Sequence, residues 1–284
     1  MEKKFIFSEW SFFIFTFAFS WSFWLIAILL KKEFLQFPTI IFYILGGLGP
    51  LAVSLILLYT NKNSDKKEFW KRVYSFKRVG IKWFSVIFIV AIAATLLAIL
   101  LAVIIGDKSR HFDNFVNFFT DPVLILSTLG LNILAVIFEE LGWRGYALPR
   151  LQERFSALVS SLILGGIWAL WHLPLFFITG TYQQGLELNS MQFWIFTTGF
   201  FAQSILITWI FNNTERSILA ALLFHLFVNL FGEIFDLNDQ TELIRFIIFN
   251  VFALLVIVLW SPKNFTESLF SKLKKEEPSE PEVR

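Results

Sequence analysis

Between Glu9 and Trp260 the chain consists almost entirely of apolar runs about twenty residues long, parted by short polar stretches. An α-helix rises about 1.5 Å per residue, so roughly 20 residues cross the ~30 Å hydrocarbon core of a bilayer. Eight runs come near that length: Glu9–Leu30, Pro38–Tyr59, Trp83–Ile105, Pro122–Glu139, Ser156–Phe177, Phe193–Phe211, Ser217–Ile234 and Leu243–Trp260. In lipid, every backbone N–H and C=O must be satisfied within the protein, which favours the helix for each run. The expected fold is all-α, a polytopic membrane helix bundle of about eight transmembrane helices. The run from Trp10 to Leu30 is too long for a signal-peptide core and lacks a small-x-small exit before Lys31, so it reads as a retained span.

Composition removes the soluble alternative. The chain is 56% hydrophobic and 16% charged, with a mean hydropathy of +0.67, where ordinary soluble domains run roughly 45–50% apolar and about 25% charged. A soluble core has no place to bury 37 Phe and 11 Trp. The net charge is only +2, and no basic stripe interleaves with aromatics in a polar segment, so nucleic acid is not expected as a partner. There is no cysteine, which rules out disulfides, thiolate chemistry and Cys-ligated metal.

Lys and Arg gather on one side of the proposed spans: Lys3, Lys4, the linker Thr60–Lys82, Arg144, Arg150, Arg154, Arg216 and the C-terminal tail. The other side holds Lys31, Lys32, Lys108, Arg110 and Arg245. This asymmetry predicts a multi-pass cell-membrane protein with both termini cytoplasmic. The linker Thr60–Lys82 is basic and carries Phe69, Trp70, Tyr74 and Phe76, the pattern of a segment lying on anionic lipid. Gly46, Gly47 and Gly49 before Pro50 predict a loosened second span with close helix packing. The organisation expected is 1–121 as N-terminal helices and basic linker, 122–234 as a core, 235–262 as a last helix, and 263–284 as a disordered charged tail.

Ionisable groups inside a span are costly, about 2.5–3.5 kcal/mol at the centre, and usually face the bundle interior. Glu139 and Glu140 end one apolar run, with Arg144 four residues after Glu140, the spacing and order of a helical ion pair. Glu139 then points elsewhere, its carboxylate left for chemistry. His172 follows Trp168 by one turn, close enough for the rings to stack, and precedes Pro174, which disturbs the next turn. His225 and Asn229 share one face of the seventh run. Each feature alone also fits an interfacial or hydrogen-bonded polar group. Together they place two of the chain's three His, and a Glu pair, on three spans. His111 reads as a solvated loop residue and Glu9 as interfacial, while Asn132, Gln203 and Ser204 are candidates to line a cavity or bridge helices.

The set Glu139-Glu140-x-x-x-Arg144, Trp168-x-x-x-His172 and His225-x-x-x-Asn229 resembles the CAAX-processing and bacteriocin-processing (CPBP, or Abi) intramembrane proteases. Gly145-Tyr146-Ala147-Leu148-Pro149 and Trp171-His172-Leu173-Pro174 carry the likeness further, over roughly Pro122–Leu230. Trp168 stands where that family often has Phe. The resemblance implies an endopeptidase acting on a membrane-associated or lipidated peptide. It implies that Glu139 activates water, His172 helps hold that water, His225 and Asn229 stabilise the oxyanion, and Glu140 and Arg144 form the supporting pair. Metalloprotease and metal-free glutamate chemistries are both associated with the family. No obligatory metal is expected, and if one binds, zinc on Glu139, His172 and His225 is the set. Two other classes stay open at this point: a non-proteolytic membrane partner, such as a bacteriocin immunity or regulatory protein, and a transporter. The clustering of the motifs in one half disfavours the transporter.

Overall fold

The computed structural model describes residues 8–269. The eight runs are all helical. In chain order the helices of eight residues or more are α1 (Glu9–Leu30), α2 (Thr39–Gly47), α3 (Gly49–Thr60), α4 (Lys66–Tyr74), α5 (Phe76–Ile104), α6 (Asp113–Thr120), α7 (Pro122–Gly142), α8 (Ala157–Trp171), α9 (Met191–Asn213), α10 (Ile218–Glu233) and α11 (Asp239–Leu259). A π-helical turn, Trp143–Ala147, continues α7, and a 3-10 turn, Leu173–Phe177, continues α8. Among the described residues the only β-type pairing is one bridge, Trp260 with Ser268.

Among the described residues, six helical stretches are long and apolar enough to cross a membrane, and the pair α2–α3, bent by 49°, makes a seventh. The eighth segment, α10, has 16 residues, or about 24 Å at the helical rise. It need not reach both faces, because α5, α7 and α9 surround it. The chain is therefore a multi-pass membrane protein, and the expectation of about eight spans differs only at the bent pair and at this central helix.

Gly46 and Gly49 of the second span act as predicted, by close approach, whereas Gly47 has only an ordinary contact with Phe138. A Cβ on Gly46 would run into the Trp24 indole at Nε1. That indole cannot move aside easily: it is buried, its Nε1–H donates to the Tyr43 carbonyl at 3.0 Å, and its ring packs on Trp171 at 4.7 Å. Likewise a Cβ on Gly142 would lie 2.5 Å from Pro50 Cβ, so α7 meets α3 almost backbone to backbone just past the Glu pair. Gly46→Ala is expected to destabilise the protein by about 1–3 kcal/mol, the usual cost of overpacking a filled core, as read by thermal unfolding in micelles.

Three polar residues lie deeper than the sequence suggests. His111 is buried, not solvated: Nδ1 lies 2.6 Å from the Asp236 carbonyl and Nε2 3.2 Å from Asp107 Oδ2. Asp107 also accepts from Asn238, and hydrogen bonds from Ser109 and then Asn238 hold its carboxyl below the usual carboxylate range. This knot ties the α5–α6 loop to the α10–α11 loop. Glu9 is buried and paired with Arg154 at 3.1 Å. Arg245, expected among outer-side charges, is buried within α11 and donates to the Val228 carbonyl and to Thr95. The expected disordered tail is ordered in its first residues. The Lys263 carbonyl accepts from Ala157 N–H, and Phe265 is fully buried. Residues 270–284 lie outside the described residues.

Candidate active site

The site forms where α7, α8 and α10 meet. α7 delivers Glu139 and Glu140 near its end. The helix does not stop there but widens into the π turn Trp143–Ala147, a local irregularity that recurs at functional sites. Pro149 accounts for part of this. It has no N–H to return to the Gly145 carbonyl four residues back, and Arg72 Nη2, from α4, donates to that carbonyl at 3.0 Å instead.

Within this turn the ion pair forms as the spacing predicts. Arg144 Nη1 donates to Glu140 Oε1 at 2.8 Å, with both side chains fully buried. The same Oε1 lies 2.9 Å from His225 Nδ1. A carboxylate can only accept, so Nδ1 of His225 carries a proton and Nε2 is left for other work. Glu140 thus joins two helices through one oxygen.

Trp168 organises the rest. Its Nε1–H donates to Glu139 Oε2 at 2.5 Å. Its ring packs edge-on to His225 at 5.0 Å between centroids, and the Arg144 guanidinium lies 4.5 Å above it. The expected stacking of Trp168 on His172 is not its main contact. Those rings are 6.3 Å apart and tilted, and Phe200 of α9 stacks on the imidazole at 4.7 Å. Phe196 closes a second side of His172 at 5.6 Å.

His172 sits where α8 tightens into the 3-10 turn. Its backbone N–H turns to Ala169 and Leu170, and its ring Nδ1 bonds the Trp168 carbonyl at 2.8 Å. That carbonyl also only accepts, so Nδ1 is the protonated nitrogen. Nε2 keeps its lone pair and makes no hydrogen bond among the described residues. Asn229 lies one turn after His225 on α10 and is half-buried, and its amide likewise makes no hydrogen bond among the described residues. The sequence-predicted groups Glu139, Glu140, Arg144, Trp168, His172 and His225 therefore form one contact network, with Asn229 beside it.

Sequence reasoning does not single out Phe196 and Phe200, the aromatic wall of His172, nor Tyr43 of α2, which lies within electrostatic reach of Glu139. Among 37 Phe no local signal separates these two. Asn132 bridges helices, donating to Glu233 Oε2 at 3.0 Å. Ser204 is buried with no hydrogen-bond partner for its hydroxyl among the described residues, and does not enter the network.

The alternative zinc set does not fit. Among the described residues no three His, Asp or Glu side chains are grouped so that they could hold a metal ion. What Glu139, His172 and His225 share is contact with the Trp168 indole.

Fold and site together define a polytopic membrane protein with a buried titratable centre walled by aromatics, and relatives give that class its chemistry. Residues 121–231 match the family described as type II CAAX prenyl endopeptidase Rce1-like. The chain is also 35% identical to a protein named CAAX prenyl protease 2 from Methanococcus maripaludis over 229 residues, covering 79% of this chain and 83% of that one. The chain belongs to this CPBP-type family of intramembrane endopeptidases.

Proposed function

We propose that this endopeptidase cuts near the C-terminus of a prenylated, membrane-attached protein of the CAAX type, using Glu139 as the base. The carrying observation is the single indole of Trp168, which contacts Glu139, Arg144, His172 and His225 at once. Glu139 and His172 Nε2 are both acceptors for a water molecule. Glu139 takes one proton as the water oxygen attacks the scissile carbonyl carbon. The oxyanion that forms receives donors from Asn229 Nδ2 and His225 Nε2. His225 can donate there only with protons on both nitrogens, so the Glu140 carboxylate under Nδ1 is part of the device. Collapse of the intermediate breaks the C–N bond, and Glu139 returns its proton to the leaving amine. Residues 122–234 are the catalytic unit, and both termini face the cytoplasm, where the basic segments gather.

The test is cleavage of a farnesylated peptide ending in a CAAX sequence by the purified full chain in proteoliposomes, beside its unprenylated twin. Cleavage of the prenylated peptide is expected. Equal rates on both peptides would sink the prenyl reading, and no cleavage of either would sink the substrate class. Asn229→Ala is expected to lower kcat about 10²–10³-fold, the usual loss of one oxyanion donor, with KM little changed. A change confined to KM would show that Asn229 binds rather than stabilises.

A further inference from the structure

At the end of the bundle away from the α10–α11 loop, a cavity of about 340 Å³ opens between the end of α3, the start of α4 and the π turn. Three arginines line it, Arg72, Arg150 and Arg216. They come from three parts of the chain; Arg72 lies within electrostatic reach of both others and of Arg78, and Glu68 is the one carboxylate among these close charged neighbours. Such a gathering is unfavourable unless anions answer it.

The carboxylates of the cavity wall are already committed. Asp65 and Glu68 also line the cavity. Asp65 caps α4 by accepting from the Glu68 N–H at 2.9 Å, and Glu68 pairs with Arg78 at 2.8 Å. Glu68 lies near Arg72, and Glu9 and Glu153 lie near Arg150, with Glu9 already paired with Arg154. Arg72 Nη2 donates to the Gly145 carbonyl, and its Nε is buried with no hydrogen-bond partner among the described residues. Arg150 lies 3.5 Å over the Tyr146 ring and donates to the Tyr146 carbonyl. Arg216 has no ion-pair partner among the described residues.

The setting selects the kind of anion. Tyr59 and Tyr74, which bracket the cavity-lining stretch 61–72 in the chain, are exposed, and Trp70 Nε1–H donates to the Tyr59 hydroxyl at 3.0 Å. Amphipathic aromatics of this kind sit at headgroup depth. Phe69 and Pro149 give the cavity an apolar wall, and α4, which supplies Phe69 and Arg72, also carries the exposed Lys67 and Lys71. Basic pockets between spans at this depth hold lipid headgroups. We propose that this cleft binds the phosphodiester headgroup of an anionic phospholipid. The ligand would bear on Arg72, whose guanidinium also holds Gly145, the residue after Arg144. Headgroup binding therefore braces the π turn behind the catalytic network, without touching substrate.

The full chain in neutral detergent micelles is titrated with short-chain phosphatidylglycerol, with phosphatidylcholine of the same chain length, or with inorganic phosphate at matched ionic strength. The reading is the thermal unfolding midpoint, which rises when a ligand binds the folded form. A saturable rise with phosphatidylglycerol alone is expected. Arg216→Gln, a change at an exposed side chain, is expected to weaken that response about five-fold, the factor one basic residue contributes at an anionic surface. Lys82→Gln, exposed and outside the cavity, should leave the response unchanged. Arg72→Gln should weaken it further, though its bond to Gly145 makes Arg216→Gln the cleaner variant. An equal rise with phosphatidylcholine, an equal rise with phosphate alone, or an equal loss in Lys82→Gln and Arg216→Gln would each overturn the site. No cleavage is measured, so the outcome is independent of the substrate assignment.

Discussion

Glu139→Gln is expected to reduce cleavage of the prenylated peptide about 10²–10⁴-fold, the range a positioned general base supplies, while the protein keeps its thermal midpoint within a few degrees. The substitution is nearly isosteric, and its side-chain oxygen can still accept from the Trp168 indole, which now donates to Glu139 Oε2. Packing around Trp168 is therefore retained, and what is lost is the ability to take a proton from water. Substrate affinity should change little, because the lost interaction belongs to the reacting water and its transition state. The informative comparison is kcat against KM, measured with wild-type and variant at equal folded concentration. A Glu139→Gln chain with wild-type kcat would remove Glu139 from the chemistry and leave its carboxylate as a partner for the indole. The same assay with a chelator is expected to leave wild-type kcat unchanged, since Glu139, His172 and His225 do not converge as a ligand set. A loss restored by added zinc would overturn that expectation.

The line between what the chain reveals in one dimension and what it hides follows the range of the interactions. Helix positions are legible because each depends on twenty or so contiguous apolar residues. The Glu140–Arg144 pair is legible because four residues along a helix define one face. Glu139 is legible as a group apart from that pair for the same reason. The indole N–H of Trp168 reaching Glu139, 29 residues away, is not. It depends on how α7 and α8 rotate against each other, which the close approach of Gly142 to Pro50 helps to set. His111 reads as solvated because its burying partner, the Asp236 carbonyl, is 125 residues distant. Arg245 misleads for a similar reason, as its acceptor is a carbonyl of another helix. The π turn has a faint local cause in Pro149, but the arginine that compensates for it comes from α4.

Arg144→Met is expected to destabilise the folded chain by about 3–5 kcal/mol, the cost of leaving one member of a buried ion pair alone. Arg144 and Glu140 are both at 0% exposure, so neither side chain can turn to water when its partner is removed. Methionine matches the stem of arginine and keeps contact with the Trp168 face, so the loss reports charge rather than volume. The companion Glu140→Gln/Arg144→Met removes both charges and is expected to regain most of that stability, because a neutral pair in an apolar site carries no desolvation cost of ions. The glutamine introduced by Glu140→Gln keeps an oxygen able to accept from His225 Nδ1, so the contact between α7 and α10 survives in the double variant. It no longer offers a negative charge, however, and His225 must carry two protons to donate to an oxyanion. The double variant is thus expected to fold well and still turn over slowly, with kcat reduced and KM near wild-type. A double-mutant cycle on unfolding in micelles measures the first half of this, and peptide cleavage by the same samples measures the second. Additive destabilisation would show that the two charges are not coupled. Full activity in the stable double variant would show that Glu140 serves the fold alone.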